Sequence, residues 1–420
     1  MKEKKRQKLD QITSDTLIAG IDIGKRKHYL RFINQRGYEL GKVFSFKNNR
    51  DGMEKAVDMV EKVKRDNNLS KAVIGIEPSG QYWKAAAYYL QDRGYPLALV
   101  NPYHVKKIKE LEDNSQTKTD IKDCLLVAKL VRDGNYFNLN LAHGIYTELQ
   151  SLSRLRLKVK KSYIREKTKL RTLLDEYFPE YEGIFCDLLG ASSTYILKNY
   201  FLPEALADAN LIELAKNLSI VSRGKIGTAR VVRLVDIARS SIGITSATDT
   251  AVLEKDYILG SIEDLREKLA EITARIKRCL SSIEYSQYLL SIPGVGPVTA
   301  AGFLGEVGDI SKYRSSKEII KMAGLNLVEI SSGIRKGKKK ISKRGNSFLR
   351  LYLYQCAVVA IAKNSQIKRY FLNHTKTKNK MKILVAVQCK LARIMFALLK
   401  HKKYYDPKEV EKYMFAEAAT

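Results

Sequence analysis

Along the first third of the chain, apolar residues fall into short runs and period-two alternations broken by turn residues. Residues 17–23 form an apolar strand run, and 28–34 and 42–46 follow with strand patterning, the first two runs and the third separated by turn residues such as Gln35-Arg36-Gly37. Three consecutive short strands predict an antiparallel meander. Residues 53–64 then carry the spacing of an amphipathic helix, 72–77 another apolar strand, 81–92 a helix, 96–100 a buried-type strand and 102–111 a helix. After a polar segment, 112–119, a further helix is expected from Asp120 to Arg132. A meander followed by β-α alternation is the ribonuclease H-like α/β order, though not unique to it.

The pattern changes near residue 141. Ile145, Leu149, Leu152, Val159, Tyr163, Leu170, Leu173 and Tyr177 lie on a 4,3 spacing, with Arg156 and Glu166 interrupting the seam. Ile258, Ile262, Leu265, Leu269, Ile272, Ile276, Cys279 and Ile283 repeat that spacing without interruption. Such heptads predict coiled-coil helices, paired either within one chain or between two. Residues 183–250 read as shorter helices. Further on, Leu289-Leu290-Ser291-Ile292-Pro293-Gly294-Val295-Gly296-Pro297 has the form of a helix-hairpin-helix turn, and 348–363 and 381–399 read as closing helices. The expected division is a disordered basic tail (1–13), an α/β domain (14–140), a helical coiled-coil region (141–285), a mainly α domain (286–405) and a C-terminal tail (406–420).

Composition narrows the function. The 420 residues include 75 Lys+Arg against 45 Asp+Glu, a net charge of +30, yet 45% are apolar. A folded chain this basic points to a polyanion, most often nucleic acid. The five cysteines and five histidines are scattered, which argues against a zinc site or a disulfide framework and fits a reducing, cytoplasmic compartment. No apolar run reaches the length of a membrane span, so no membrane partner is expected. The excess charge is uneven. The helix carrying Arg154, Arg156, Lys158, Lys160, Lys161 and Arg165 holds one acid between residues 154 and 171, and the segment with Arg335, Lys336, Lys338, Lys343 and Arg344 holds none. These cations are candidate phosphate contacts, as are the backbone N–H groups around Gly294 and Gly296.

Four acids are the candidate chemistry. Asp22 interrupts the first apolar strand, Glu77 ends the strand at 72–77, and Asp120 and Asp123 share a face at the start of a helix. In a ribonuclease H-like order these positions converge on one sheet edge. Four carboxylates there would repel one another unless divalent cations of the Mg²⁺ or Mn²⁺ type sat among them.

These motifs resemble those of the IS110-family transposases (the IS110/IS1111 group), also called DEDD recombinases. Asp22, Glu77, Asp120 and Asp123 match the family's four acids. Asn101-Pro102-Tyr103-His104-Val105 and Lys118-Thr119-Asp120-Ile121-Lys122-Asp123 match its linker into the last catalytic helix. Its transposase half is matched by Ile292-Pro293-Gly294-Val295-Gly296, Gly324-Leu325-Asn326, Ser331-Ser332-Gly333, Ile341-Ser342-Lys343-Arg344-Gly345-Asn346 and Leu349-Arg350. Asn326-Leu327 departs from the pattern, which usually has a proline nearby, and the middle region is longer than in compact members.

The resemblance implies a RuvC-like domain holding Mg²⁺ and a transposase domain whose serine attacks the DNA phosphate. Ser332 matches that serine best, with Ser331 as the rival. It also implies a structured guide (bridge) RNA, target and donor double-stranded DNA as partners, and a homodimer or tetramer. The competing reading is a RuvC-like, metal-dependent endonuclease without a covalent serine intermediate. An actin-like ATPase would need a second Asp-x-Gly turn, and Gly308-Asp309-Ile310 is no match.

Overall fold

The computed structural model describes residues 2–78, 80–112, 120–139, 141, 144–329, 339–377 and 379–409. The chain divides into two compact units, 1–142 and 143–420.

The first unit opens with a helix, α1 (Lys2–Asp10), where the sequence suggested a disordered tail. Its amphipathic signal is weak because Leu9 is its one apolar residue, yet it docks. Leu9 packs 3.4 Å from where a side chain at Gly134 would begin. The Lys8 ammonium reaches the Tyr136 carbonyl and stands 4.8 Å from the Tyr136 ring centre. Ile12, just beyond, is buried.

Then follow β1 (Thr16–Ile23), β2 (Lys27–Ile33), β3 (Phe44–Lys47), α2 (Arg50–Asp66), β4 (Lys71–Ile76), α3 (Trp83–Asp92), β5 (Leu97–Leu99), α4 (Pro102–Glu112), α5 (Asp120–Arg132) and β6 (Phe137–Leu139). The sheet order is β3-β2-β1-β4-β5-β6. β1, β2 and β3 form the antiparallel meander, while β4 and β5 run parallel to β1. β6 adds an antiparallel edge that the pattern did not reveal, because three residues are too few to establish alternation.

The two faces of β1 do different work, as strand alternation requires. Leu17, Ala19, Ile21 and Ile23 pack in one core with Met53, Val60 and Leu90 of α2 and α3. Ile18 faces the other way, into a core with Val127, Ala128 and Val131 of α5.

The second unit is helical. α6 (Ile145–Tyr177) is followed by α7 (Ala191–Asn199), α8 (Pro203–Ala207), α9 (Leu211–Ser222), α10 (Thr228–Arg239) and α11 (Thr248–Ser281). Next come α12 (Ser286–Leu290), α13 (Pro297–Val307), α14 (Ser316–Met322), a small ribbon of β7 (Leu327–Val328) and β8 (Lys340–Ile341), α15 (Ser347–Lys363), α16 (Ser365–Thr375) and α17 (Lys380–His401).

The heptad-patterned helices α6 and α11 pair antiparallel within the chain, with Arg156 opposite Thr273 and Tyr163 opposite Arg266. The seam is unevenly buried. One end, with Leu149, Leu152, Ile272, Ile276 and Leu280, joins the core built by α13, α15 and α17. The other, with Leu170, Leu173, Leu174, Ile258 and Ile262, joins a second core with α7, α9 and α10. Between them Leu265 and Leu269 are only half-buried. The pair therefore spans two cores, each fixing one end.

Candidate active site and nucleic-acid interface

The acidic site follows from a repeated pair of residues. A Cβ at Gly20 would lie 2.0 Å from the Cys124 carbonyl oxygen, so α5 crosses β1 where no side chain intervenes. Gly75, paired with Gly20 across β1 and β4, faces the same helix, and a Cβ there would meet Val131 at 2.7 Å and Val127 at 2.9 Å. Two residues on, alternation returns β1 to that face, and β4 ends one residue short of the equivalent position. Asp22 follows Gly20, and Glu77 follows Gly75 immediately beyond the end of β4. Each glycine admits the helix and each acid stands beyond it, toward the N-terminal turn of α5. That turn carries Asp120 and Asp123, and Lys109 of α4 donates to Asp123 Oδ1 at 2.6 Å.

Electrostatics agree with this placement. The Cys124 thiol is pushed up to about 12, chiefly by burial, with Asp22 adding to the rise and Arg31 opposing it. Arg31 pairs with Gly20 across β1 and β2, and its guanidinium meets Glu39 at 2.8 Å. Asp22, Glu77 and Asp123 are all half-buried. Among the described residues no group of three or more His, Cys, Asp or Glu side chains is closed tightly enough to hold a metal. The Asp120 side chain lies outside the described residues.

In the second unit, Ser331 and Ser332 lie outside the described residues, as do Arg335, Lys336 and Lys338. What is described is the base of the ribbon that flanks them, where much of the sequence motif serves as scaffold. Gly324 adopts φ +68°, and Gly345 passes so close that a Cβ on it would stand 2.3 Å from the Met322 carbonyl. Ser342 N–H donates to Asn326 O at 2.8 Å, and its hydroxyl donates to Asn326 Oδ1 at 2.7 Å. Lys343 N–H donates to Gly324 O at 3.0 Å. Arg350 donates to Ala323 O at 2.7 Å. Lys343 and Arg344 are exposed.

The candidate phosphate contacts separate into two classes. Arg154 is committed to the interior. Its Nε and Nη2 each donate to the Glu306 carboxylate at 2.7 Å, and its guanidinium lies 4.5 Å from the Phe348 ring centre. Arg156 donates to Thr273 Oγ1, and Lys160 stands over Tyr163. On the same helix Lys167, Lys169 and Arg171 face Asp187, Glu166 and Glu182. Lys158, Lys161 and Arg165 are exposed on one stripe, and among the described residues no acid pairs with them. The glycine turn is also more structural than its pattern suggests. A Cβ at Gly294 would strike the α15 backbone at Ala360, 2.6 Å away. Gly296 N–H donates to Thr299 Oγ1 at 3.2 Å.

Two residues escaped the sequence reading. Lys109 carries no motif. Glu306 had a signal, since it is the one acid in the apolar helix PVTAAGFLGEV, where an unpaired charge would be costly.

Comparison with known proteins agrees with this layout. A DEDD transposase model of the IS110 type matches residues 19–179. A second transposase model, of the IS116/IS110/IS902 family, matches residues 286–372. The chain is similar to an uncharacterized 44.8 kDa protein of insertion element IS116 from Streptomyces clavuligerus, at 24% identity over 94% of this chain and 97% of that protein. It is also similar to the transposase for insertion sequence element IS1111A of Coxiella burnetii, at 24% identity over 93% and 92%. A pilin gene-inverting protein of Moraxella lacunata is 22% identical over 92% and 97%. Among the described residues no helix is long and apolar enough to cross a membrane. The two models together cover more than half of the sequence, the first running over the acidic α/β unit and on through α6, the second over a later part of the helical unit, so the chain belongs to the IS110 family of transposases and is an enzyme that acts on DNA.

Proposed function

We propose that this transposase cleaves and rejoins DNA strands through a serine nucleophile, with Asp22, Glu77, Asp120 and Asp123 as the acidic site of a ribonuclease H-like, RuvC-like domain. The observation that carries the reading is that Gly20 and Gly75, paired across β1 and β4, open the face that receives α5, with Asp22 two residues on in β1 and Glu77 just past the end of β4. The meander followed by two parallel strands supports the fold assignment.

The site suits Mg²⁺, with Mn²⁺ as a substitute, because its donors are hard carboxylate oxygens. Bound there, such ions would stabilise charge on the oxygens of a phosphoryl transfer. The chain's own residues supply the remainder. Ser332 Oγ attacks phosphorus and forms a phosphoserine ester, while the bond to the leaving strand breaks and that strand's oxygen takes a proton. Attack on the ester by a hydroxyl end then frees Ser332 and rejoins the strand. Lys158, Lys161 and Arg165 grip a phosphate backbone. A structured guide RNA selects target and donor duplexes by base pairing, which leaves the protein to read shape and charge. The α6–α11 pair acts as a coiled-coil stalk in a dimer or tetramer.

The test uses full-length protein isolated from cells that carry a plasmid with the coding gene and its native flanks. Denaturing gels are scored for a covalent protein–DNA adduct, and co-purified RNA is sequenced. Ser332→Ala should abolish the adduct and Ser331→Ala should keep it. Cleavage at wild-type rate by both variants, with no adduct, would transfer the reaction to metal-activated water, as in a RuvC-like endonuclease.

A further inference from the structure

Among the described residues Glu306 is the sole buried carboxylate, and its side chain has no exposed surface. It lies outside the four-acid site, on α13. A buried carboxylate is tolerated only when its oxygens are fully served. Here they accept four bonds, from Arg154 Nε and Nη2 at 2.7 Å each, from Gln150 Nε2 at 3.2 Å and from Asn346 Nδ2 at 2.7 Å.

The donors come from two places. Gln150 and Arg154 are on α6, which approaches α13 closely, since a Cβ at Gly305 would lie 2.6 Å from the Gln150 nitrogen. Asn346 stands between the ribbon and α15. Its Oδ1 caps α15 by accepting from Phe348 N–H at 3.0 Å and Leu349 N–H at 3.1 Å. Its own N–H donates to the Met322 carbonyl at 2.6 Å.

Asn346 therefore has two separable tasks. The cap needs only an acceptor oxygen, which Ser supplies as well. The bond to Glu306 needs the amide N–H, which contributes nothing to the cap. That bond runs between the end of the β8 arm and the basic helix α6, by way of a rigid, charge-assisted pair.

We propose that Glu306 is a positioning residue for the strand-transfer reaction. Through Asn346 it fixes the base of the β7–β8 ribbon against α13 and α6, so that the ribbon meets DNA gripped by α6 in one register. The inference rests on the serine reading above, because the ribbon flanks Ser331 and Ser332. Reactions of this kind are sensitive to small displacements, and a shift of about 1 Å costs on the order of 100-fold.

The test measures three quantities on full-length protein in cells carrying the plasmid with native flanks: recombination junctions by quantitative PCR, nucleic acid retained per protein on purification, and the melting temperature. Asn346→Ser keeps the cap and removes the link, and Glu306→Gln keeps the shape and removes the charge. Each should lower junction frequency roughly 10–100-fold at unchanged retention, and Asn346→Ser, which keeps the cap and leaves three of the four bonds to Glu306, should melt only modestly below wild type. The double variant should lose little more than the worse single one. Wild-type junction frequency in Asn346→Ser would overturn the inference, as would a loss that merely follows melting or retention. Ser332→Ala and Ser331→Ala separate this from the parent reading. If both recombine normally, the serine reading falls and the inference falls with it. A dead Ser332→Ala beside a fully active Asn346→Ser overturns the inference alone.

Discussion

The two units spend their motif residues in opposite ways. In the sheet unit, glycines and acids alternate on one strand face, and the residues that mark the family also carry the candidate chemistry. In the helical unit most marked residues build a support. Gly324, Ser342, Gly345 and Arg350 close the base of the ribbon. Gly294 makes room for α15. The contrast has a geometric cause. A strand aims every second side chain at the same face, so a site can be written directly into it. A short ribbon has no such frame and must be held from outside by hydrogen bonds and close backbone approaches.

The largest effect that tests this contrast is chemical. Asp22→Asn keeps the size and the strand, and should lower recombination by roughly a thousandfold while melting stays near wild type. Junction counting with the same plasmid checks it. Normal recombination in Asp22→Asn would mean that the sheet's acids are scaffold like the ribbon's motif, and the contrast would collapse.

Next comes a stability effect in the helical unit. Arg154→Ala removes the cation from a buried pair and should cost about 3 kcal/mol, the lower end for such pairs, because Gln150 and Asn346 still serve Glu306. Lys158→Ala, one turn along the same helix, should cost almost nothing. Chemical denaturation of the two variants makes the comparison, and equal losses would refute the division of these cations into structural and exposed classes.

The exposed class has its own signature. Each of Lys158→Ala, Lys161→Ala and Arg165→Ala should reduce the salt slope of nucleic-acid binding by about one. Arg154→Gln should leave that slope alone. Titration of labelled duplex DNA against salt reads both.

The same division explains what was legible in the sequence. Helix α5 runs from Asp120 to Arg132 as its periodicity predicts, and β1, which carries Asp22, and β4, which ends one residue before Glu77, fall where the apolar runs place them. Both signals are local. The pairing of Arg154 with Glu306 joins residues 152 positions apart, and nothing near Arg154 announces its partner. Basic density alone therefore overcounted the free cations on α6. α1 was missed for a related reason, since its docking depends on Gly134 and Tyr136 rather than on its own pattern.

The smallest expected effect returns to the sheet. His28 is fully buried on β2, edge-on to Phe46 with ring centres 5.1 Å apart. It pairs with Ile23 across β1 and β2, one position after Asp22 pairs with Tyr29, so it occupies the face opposite the acids. Burial pushes its imidazole below the ordinary 6.5. The unfolded chain then binds a proton at His28 more readily than the folded chain does. Stability is fully present above about pH 6.5 and declines as pH falls below it, until the folded imidazole also protonates. His28→Phe removes that proton and keeps an aromatic ring against Phe46, so its melting temperature should fall less between pH 7.5 and 5.5 than that of wild type. Because the change lies on the face away from Asp22 and Glu77, recombination at pH 7.5 should be untouched. A loss of recombination there would mean that the two faces of β1 are coupled, and that the sheet, like the ribbon, positions its chemistry from behind.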